Sequence, residues 1–135
     1  YIKKNKPYRY WIAGNSKSFQ WGWMPPHPTF FAKIDVYKKF GAFRLDCGTS
    51  ADYELMLRFF EKNKISTLWI NKLIVYMEFG GASNVDCKAL LHAYKTDIKA
   101  WKINNLKRNF LTIFLKKIIK IKQIPLALYN TKDFL

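Results

Sequence analysis

Acidic residues are scarce in this chain. Nine Asp and Glu stand against 24 Lys and Arg, a formal charge of +15. That imbalance points to a polyanionic neighbour: nucleic acid, an anionic membrane surface or phosphate groups. Cysteine is scarcer still, with two residues, Cys47 and Cys87, far apart. Neither belongs to a CxxC pair or a Cys/His cluster, which argues against a structural zinc site. Two reduced thiols are expected, as in a cytosolic protein. The phosphate-cradling GxxxxGK[ST], the GxGxxG and the HExxH motifs are absent, as is a GxSxG nucleophile elbow. An Asp-x-Asp pair to hold a divalent metal is also missing. The apolar run from Phe110 to Ile121 contains lysines and falls short of the about 20 residues that span a bilayer. No Met opens the chain, and no charged-then-apolar leader precedes a small-residue cleavage site. No signal peptide is therefore expected, and the abrupt, Lys-rich start leads us to expect a fragment of something longer.

What is present is apolar and aromatic. Half of the 135 residues are hydrophobic and 18% are aromatic, so a packed core is expected, within one domain's worth of chain. The charge is uneven. Residues 1–26 carry five basic residues and no acid, residues 27–83 eight basic and six acidic, and residues 84–135 eleven basic and three acidic. The middle is nearly balanced and both ends are basic. Lys dominates the excess, which fits diffuse electrostatics better than the bidentate forks that favour Arg.

The aromatic-rich run 8–12 has strand composition, Gly14-Asn15-Ser16 signals a turn, and residues 18–24 fit a second strand or an aromatic loop. Pro25-Pro26-His27-Pro28 forbids regular helix and predicts a rigid, extended loop. A short helix is predicted over 34–40, with Gly41 at its C-cap, then a loop over 42–49. The clearest helix runs from Ala51 to about Asn63, with Tyr53, Met56, Leu57 and Phe60 as its buried stripe. Residues 66–77 alternate as one or two strands. From about Val85 helical spacing returns in Tyr94, Ile98 and Trp101. It continues through Ile103, Leu106, Phe110, Phe114, Ile118 and Ile121, with Lys116, Lys117 and Lys120 on a common side, until Pro125 ends it. A basic amphipathic helix over 103–122 that lies in a membrane interface is the expectation.

Among residues able to carry chemistry, Asp52 stands out because it opens the best helix. Two readings compete for it. Thr49-x-x-Asp52 fits a capping box, with the carboxylate favourably placed in the first turn; alternatively, Asp52 is a general base aimed into a cleft. His27 is held by prolines and is either a structural hydrogen-bonder or a positioned functional group. Arg58 follows Glu54 by four residues, as in an ordinary helix-surface ion pair. Gly80-Gly81 with Ser83 is either a tight turn or backbone that lets a ligand approach closely.

These pieces, in order, resemble family-2 bacterial glycosyltransferases. Met24-Pro25-Pro26-His27-Pro28-Thr29-Phe30-Phe31 is similar to the family's HxTxF segment, and Val36 to Phe43 resembles the element that follows. Ala51-Asp52-Tyr53-Glu54-Leu55-Met56-Leu57-Arg58 looks like the family's helix with an Asp and a later Arg, and Gly80-Gly81-Ala82-Ser83 like its GGvS. The resemblance covers about residues 8–84 and the C-terminal helices only loosely. It implies an α/β fold: a partial GT-A-like mixed sheet with flanking helices over 1–84, followed over 85–135 by basic amphipathic helices.

It further implies that this is the acceptor-side portion of an inverting enzyme, without the nucleotide-binding half, and inactive alone. Asp52 then corresponds to the base that deprotonates the acceptor hydroxyl, although Ala51 stands where the family often has an acid. Arg58, Gly80, Gly81 and Ser83 would support the acceptor side, with His27 and Trp23 lining its cleft. The implied partners are a nucleotide-sugar donor and a glycan or lipid-linked acceptor of cell-surface polysaccharide synthesis. The implied cofactor is a divalent Mg or Mn ion with ligands outside this chain. The implied location is the cytoplasm, with peripheral attachment at the inner face of the cell membrane. The competing readings are a nucleic-acid-binding module, which lacks any helix-turn-helix, RNP or zinc-finger pattern here, and a membrane-interface module without catalysis.

Overall fold

The computed structural model describes residues 1–4, 6–78 and 87–129. Gly80, Gly81 and Ser83 lie outside the described residues, as does the side chain of Cys87. The ordered elements are β1 (Ile2–Lys3), β2 (Lys6–Pro7), α1 (Ile34–Phe40), α2 (Ala51–Leu57), α3 (Cys87–Ile103) and α4 (Thr112–Tyr129). Short 3-10 helices at Phe19–Trp21, His27–Thr29 and Leu45–Ser50 precede the elements they lead into.

The expected α/β fold is not what forms. Helix accounts for 51% of the described residues and strand for 4%, and the strands are one antiparallel pair of two-residue segments. The reason lies in the two segments with strand composition. Residues 8–12 run beside α4, where the Tyr10 N–H donates to the Gln123 carbonyl at 3.2 Å. Residues 66–77 form no regular strand; near them lie the parallel Ile2–Glu78 bridge and the hydrogen bond from Ile2 N–H to the Met77 carbonyl at 2.8 Å. Strand propensity describes fitness for a pleated, partnered surface. With only the two-residue β1 at one end of residues 66–77 and helix α4 beside residues 8–12, neither segment extends into a ladder among the described residues.

Helix α2 starts at Ala51, where the spacing predicts it, and widens into a π turn over Arg58–Lys62. That turn lets consecutive phenylalanines both pack. Phe59 meets Tyr37 at 5.4 Å between ring centroids, and Phe60 meets Trp23 at 5.5 Å and Phe30 at 5.4 Å. The core joins Phe19 and Trp23 from the N-terminal loop, Tyr53, Met56 and Leu57 from α2, and Ala100 and Trp101 from α3. Gly22, at φ +77°, lets α4 approach so closely that a Cβ there would sit 2.3 Å from the Lys116 backbone nitrogen, a backbone conformation and a contact only glycine accepts.

The long C-terminal helix expected over 103–122 is divided. Asn105 adopts a left-handed φ of +57°, a conformation Asn tolerates, and the buried Asn104 donates to the Glu54 carboxylate and to the Ala100 carbonyl, both at 2.9 Å. Helix α3 therefore ends at Ile103, α4 begins at Thr112, and α4 runs through Pro125 to Tyr129.

The Glu54–Arg58 pair is not on the surface. Glu54 is 0% exposed and Arg58 5%. Arg58 grips both carboxylate oxygens, Nε to Oε1 at 3.0 Å and Nη2 to Oε2 at 3.1 Å. Its remaining N–H groups donate to the carbonyl of Phe40, the last residue of α1, and to those of Gly41 (2.8 Å) and Ala42 (2.6 Å) just past it. One guanidinium thus satisfies a buried carboxylate and the otherwise orphaned carbonyls at a helix end. Arg58→Met should cost about 3–5 kcal/mol in denaturant unfolding, because it strands the Glu54 charge. The double variant Glu54→Leu/Arg58→Met should recover part of that loss, and equal stability of the single variant and the parent would contradict this role.

Candidate functional site

Asp52 sits in the first turn of α2, half-buried. Its Oδ1 accepts from the N–H of the next residue, Tyr53, at 2.7 Å, and Oδ2 holds no hydrogen bond among the described residues. The capping box does not form. The N-cap is Ser50, without a side-chain cap hydrogen bond; its hydroxyl turns instead to α3, donating to Asp97 Oδ1 at 2.9 Å and sharing a hydrogen bond with Thr96 at 2.7 Å.

Beside Asp52 lies a polar cluster that links three helices. Lys116 of α4 donates to Asp97 Oδ2 at 2.8 Å and rests 3.7 Å from the centroid of the Tyr53 ring, so an ion pair and a cation–π contact hold the same ammonium. Trp101 Nε1 donates to the Tyr53 hydroxyl at 2.9 Å. Tyr53, the neighbour of Asp52 in α2, is thereby joined to Lys116 of α4 and Trp101 of α3. Spacing in the sequence singles out Lys116 and Lys120, but gives no signal for Ser50 or Asp97, whose partners are distant in the chain.

The other expected site residues are placed apart from Asp52. Trp23 is a core residue, with its ring edge-on to Phe19 at 5.6 Å and its Nε1 donating to the Ala13 carbonyl at 2.8 Å. His27 rests edge-on against Phe43 at 5.8 Å. Arg58 is committed to Glu54 and the end of α1. No hydrogen bond or ion pair joins Asp52 to Trp23, His27 or Arg58 among the described residues. A cleft of about 880 Å³ is lined by Trp11, Trp23, Pro26, Phe30, Ile65 and Trp69, among others, and neither Asp52 nor His27 lines it. Trp23 is thus the one expected cleft residue that borders it.

No group of three or more His, Cys, Asp or Glu side chains is arranged to hold a metal ion among the described residues. Cys47 is buried and free, and burial, reinforced by Asp46 and Glu54, pushes its thiol up, which disfavours the reactive thiolate. No described helix is long and apolar enough to cross a membrane.

Tyr53 supplies a pH test of this cluster. Burial, then the Asp97 charge, pushes its phenol well above its ordinary value near 10, with the Trp101 hydrogen bond opposing. Above pH about 10 the unfolded chain releases this proton and the folded one retains it, so stability falls as pH rises. Between pH 10 and 12, the parent should lose more stability than Tyr53→Phe in denaturant titrations; parallel losses would show that the hydroxyl is not held this way.

No family model, no curated protein and no solved structure matches the chain.

Proposed function

We propose that the chain is the acceptor-side portion of an inverting glycosyltransferase that acts from the cytoplasm, with Asp52 as its general base. In the proposed reaction Asp52 takes the proton of an acceptor hydroxyl on a glycan or lipid-linked sugar. The freed oxygen forms a bond to the anomeric carbon of a nucleotide-sugar, and the bond to the nucleoside diphosphate breaks with inversion. The departing diphosphate needs neutralisation. The described residues offer no metal site for it, and no step here depends on one.

One observation carries this reading: the three described segments that bear the resemblance fold onto one another. Arg58, at the end of the Asp52 segment, donates to Phe40, Gly41 and Ala42 in the second segment. His27 of the first segment meets Phe43 of the second, and Phe30 of the first packs against the core cluster to which Tyr53, Met56 and Leu57 of the third belong. Gly41, at φ +89°, leaves room for this, since a Cβ there would sit 2.9 Å from Arg58 Nη1. A motif set that is merely coincidental has no reason to pack as a unit, and in this unit Oδ2 of Asp52 holds no hydrogen bond among the described residues.

The isolated 135-residue chain should transfer no sugar from any nucleotide-sugar in a radiometric assay; robust turnover would overturn the division of labour proposed. In the full gene product that contains these residues, Asp52→Asn preserves shape but removes the proton acceptor. Transfer should fall by roughly 10²–10⁴-fold, the usual worth of a positioned base, with acceptor binding and melting temperature little changed. A folded Asp52→Asn enzyme with near-normal turnover would refute the assignment.

A further inference from the structure

Over residues 112–123, helix α4 is amphipathic in an unusual sense: its inward face is the more polar one. Thr112, Ile113 and Gln123 are buried against the body and Lys116 is nearly so, and Thr112 Oγ1 donates to the Gln20 carbonyl at 2.9 Å. The opposite face carries Phe114, Ile118 and Ile121, whose i, i+4, i+7 spacing aligns them in one stripe. Phe114 is 61% exposed and Ile121 66%, and the stripe is extended at its start by Phe110, 88% exposed, and by Leu111. The same helical geometry sets Lys117 on one side of the stripe and Lys122 on the other. Both lysines are exposed, as is Lys107 just ahead of the helix, and no described carboxylate pairs with any of the three.

An apolar ridge between unneutralised cations is the complement of one kind of surface, an apolar layer beneath an anionic one. Burial of the ridge below the headgroups would leave Lys117 and Lys122 at the level of lipid phosphates, where their long stems can reach outward. A protein partner would be expected to match the lysines with discrete acids, and duplex nucleic acid takes up single apolar wedges between base steps, not a continuous ridge of Phe, Leu and Ile. We propose that α4, with Phe110 and Leu111, lies flat in the interface of an anionic lipid bilayer. The helix is too short of continuous apolar residues to cross one, so the association is peripheral. This inference rests on α4 alone and stands whether or not the transferase reading does.

The test is flotation of the 135-residue chain with vesicles of phosphatidylcholine alone and of phosphatidylcholine mixed with phosphatidylserine. The parent should float with the mixed vesicles and far less with the neutral ones, and added salt should weaken binding. Phe114→Ser/Ile121→Ser should weaken binding to mixed vesicles by roughly tenfold or more. Lys117→Gln/Lys122→Gln should weaken it by about fivefold per lysine and leave any neutral binding unchanged. Circular dichroism confirms that each variant is folded; should the apolar variant unfold, the lysine variant and the lipid comparison carry the test. Equal binding to both vesicle types, or full binding by either folded variant, would overturn the proposal. So would concentration-dependent dimers that Phe114→Ser/Ile121→Ser abolishes, since the face would then belong to a second copy.

Discussion

The buried carboxylate of Glu54 is the constraint around which the described structure is arranged. A charge at zero exposure survives only when its partners are supplied with good geometry, and here they come from separate parts of the chain. Arg58 lies one turn along the same helix, Asn104 arrives from the end of α3, and Arg44 approaches to 3.7 Å from the loop after α1. Each partner is tied in turn to something else. Arg58 fixes the exit of α1, and Asn104 holds the Ala100 carbonyl and so the last turn of α3. The orientation of three helices is thereby coupled to one polar knot, while the aromatic cluster of Phe19, Trp23, Tyr53 and Trp101 supplies the apolar bulk beside it.

That knot explains which parts of the molecule are legible in the residues and which are not. Helix α2 is legible because Tyr53, Met56 and Leu57 repeat at helical spacing, and α1 because Gly41 marks its end. The depth of Glu54 is not, because a Glu and an Arg four residues apart look the same on a surface and in a core; only Asn104 and the loop around Gly41, distant in sequence, tell the two apart. The break at Asn104-Asn105 is hidden for the same reason. A regular apolar period continues across it, and tertiary hydrogen bonds override the period. Residues 8–12 and 66–77 have strand composition, but a strand is a property of two segments, and no β-ladder runs along either among the described residues.

The candidate site divides in the same way. That Asp52 opens a helix is a local property and can be read from the chain. What its neighbours do is not local: Ser50 has the chemistry of a helix cap yet spends its hydroxyl on Asp97 and Thr96, because α3 crosses directly over the start of α2. The nearby ion pair of Lys116 with Asp97 brings α4 to the same place. Asp52 therefore lies between residues that hold α3 and α4 to the start of α2, and it does not line the aromatic cleft.

Helix α4 shows how far periodicity carries an inference and where it stops. Spacing establishes that Phe114, Ile118 and Ile121 share a stripe, but not which side of the helix the body lies on. The ordinary assumption turns the apolar stripe inward and the lysines outward. Here the tight approach at Gly22 and the anchoring of Lys116 on Asp97 and Tyr53 select the opposite rotation. Lys116 and Lys117, adjacent in sequence, consequently have different environments: one is nearly buried in an ion pair, and the other is exposed at the edge of an apolar ridge. The positive charge of the C-terminal segment is thus not a uniform solvated coat. Part of it is spent internally on orienting α4, and that orientation is what exposes the ridge and leaves the remaining lysines beside it.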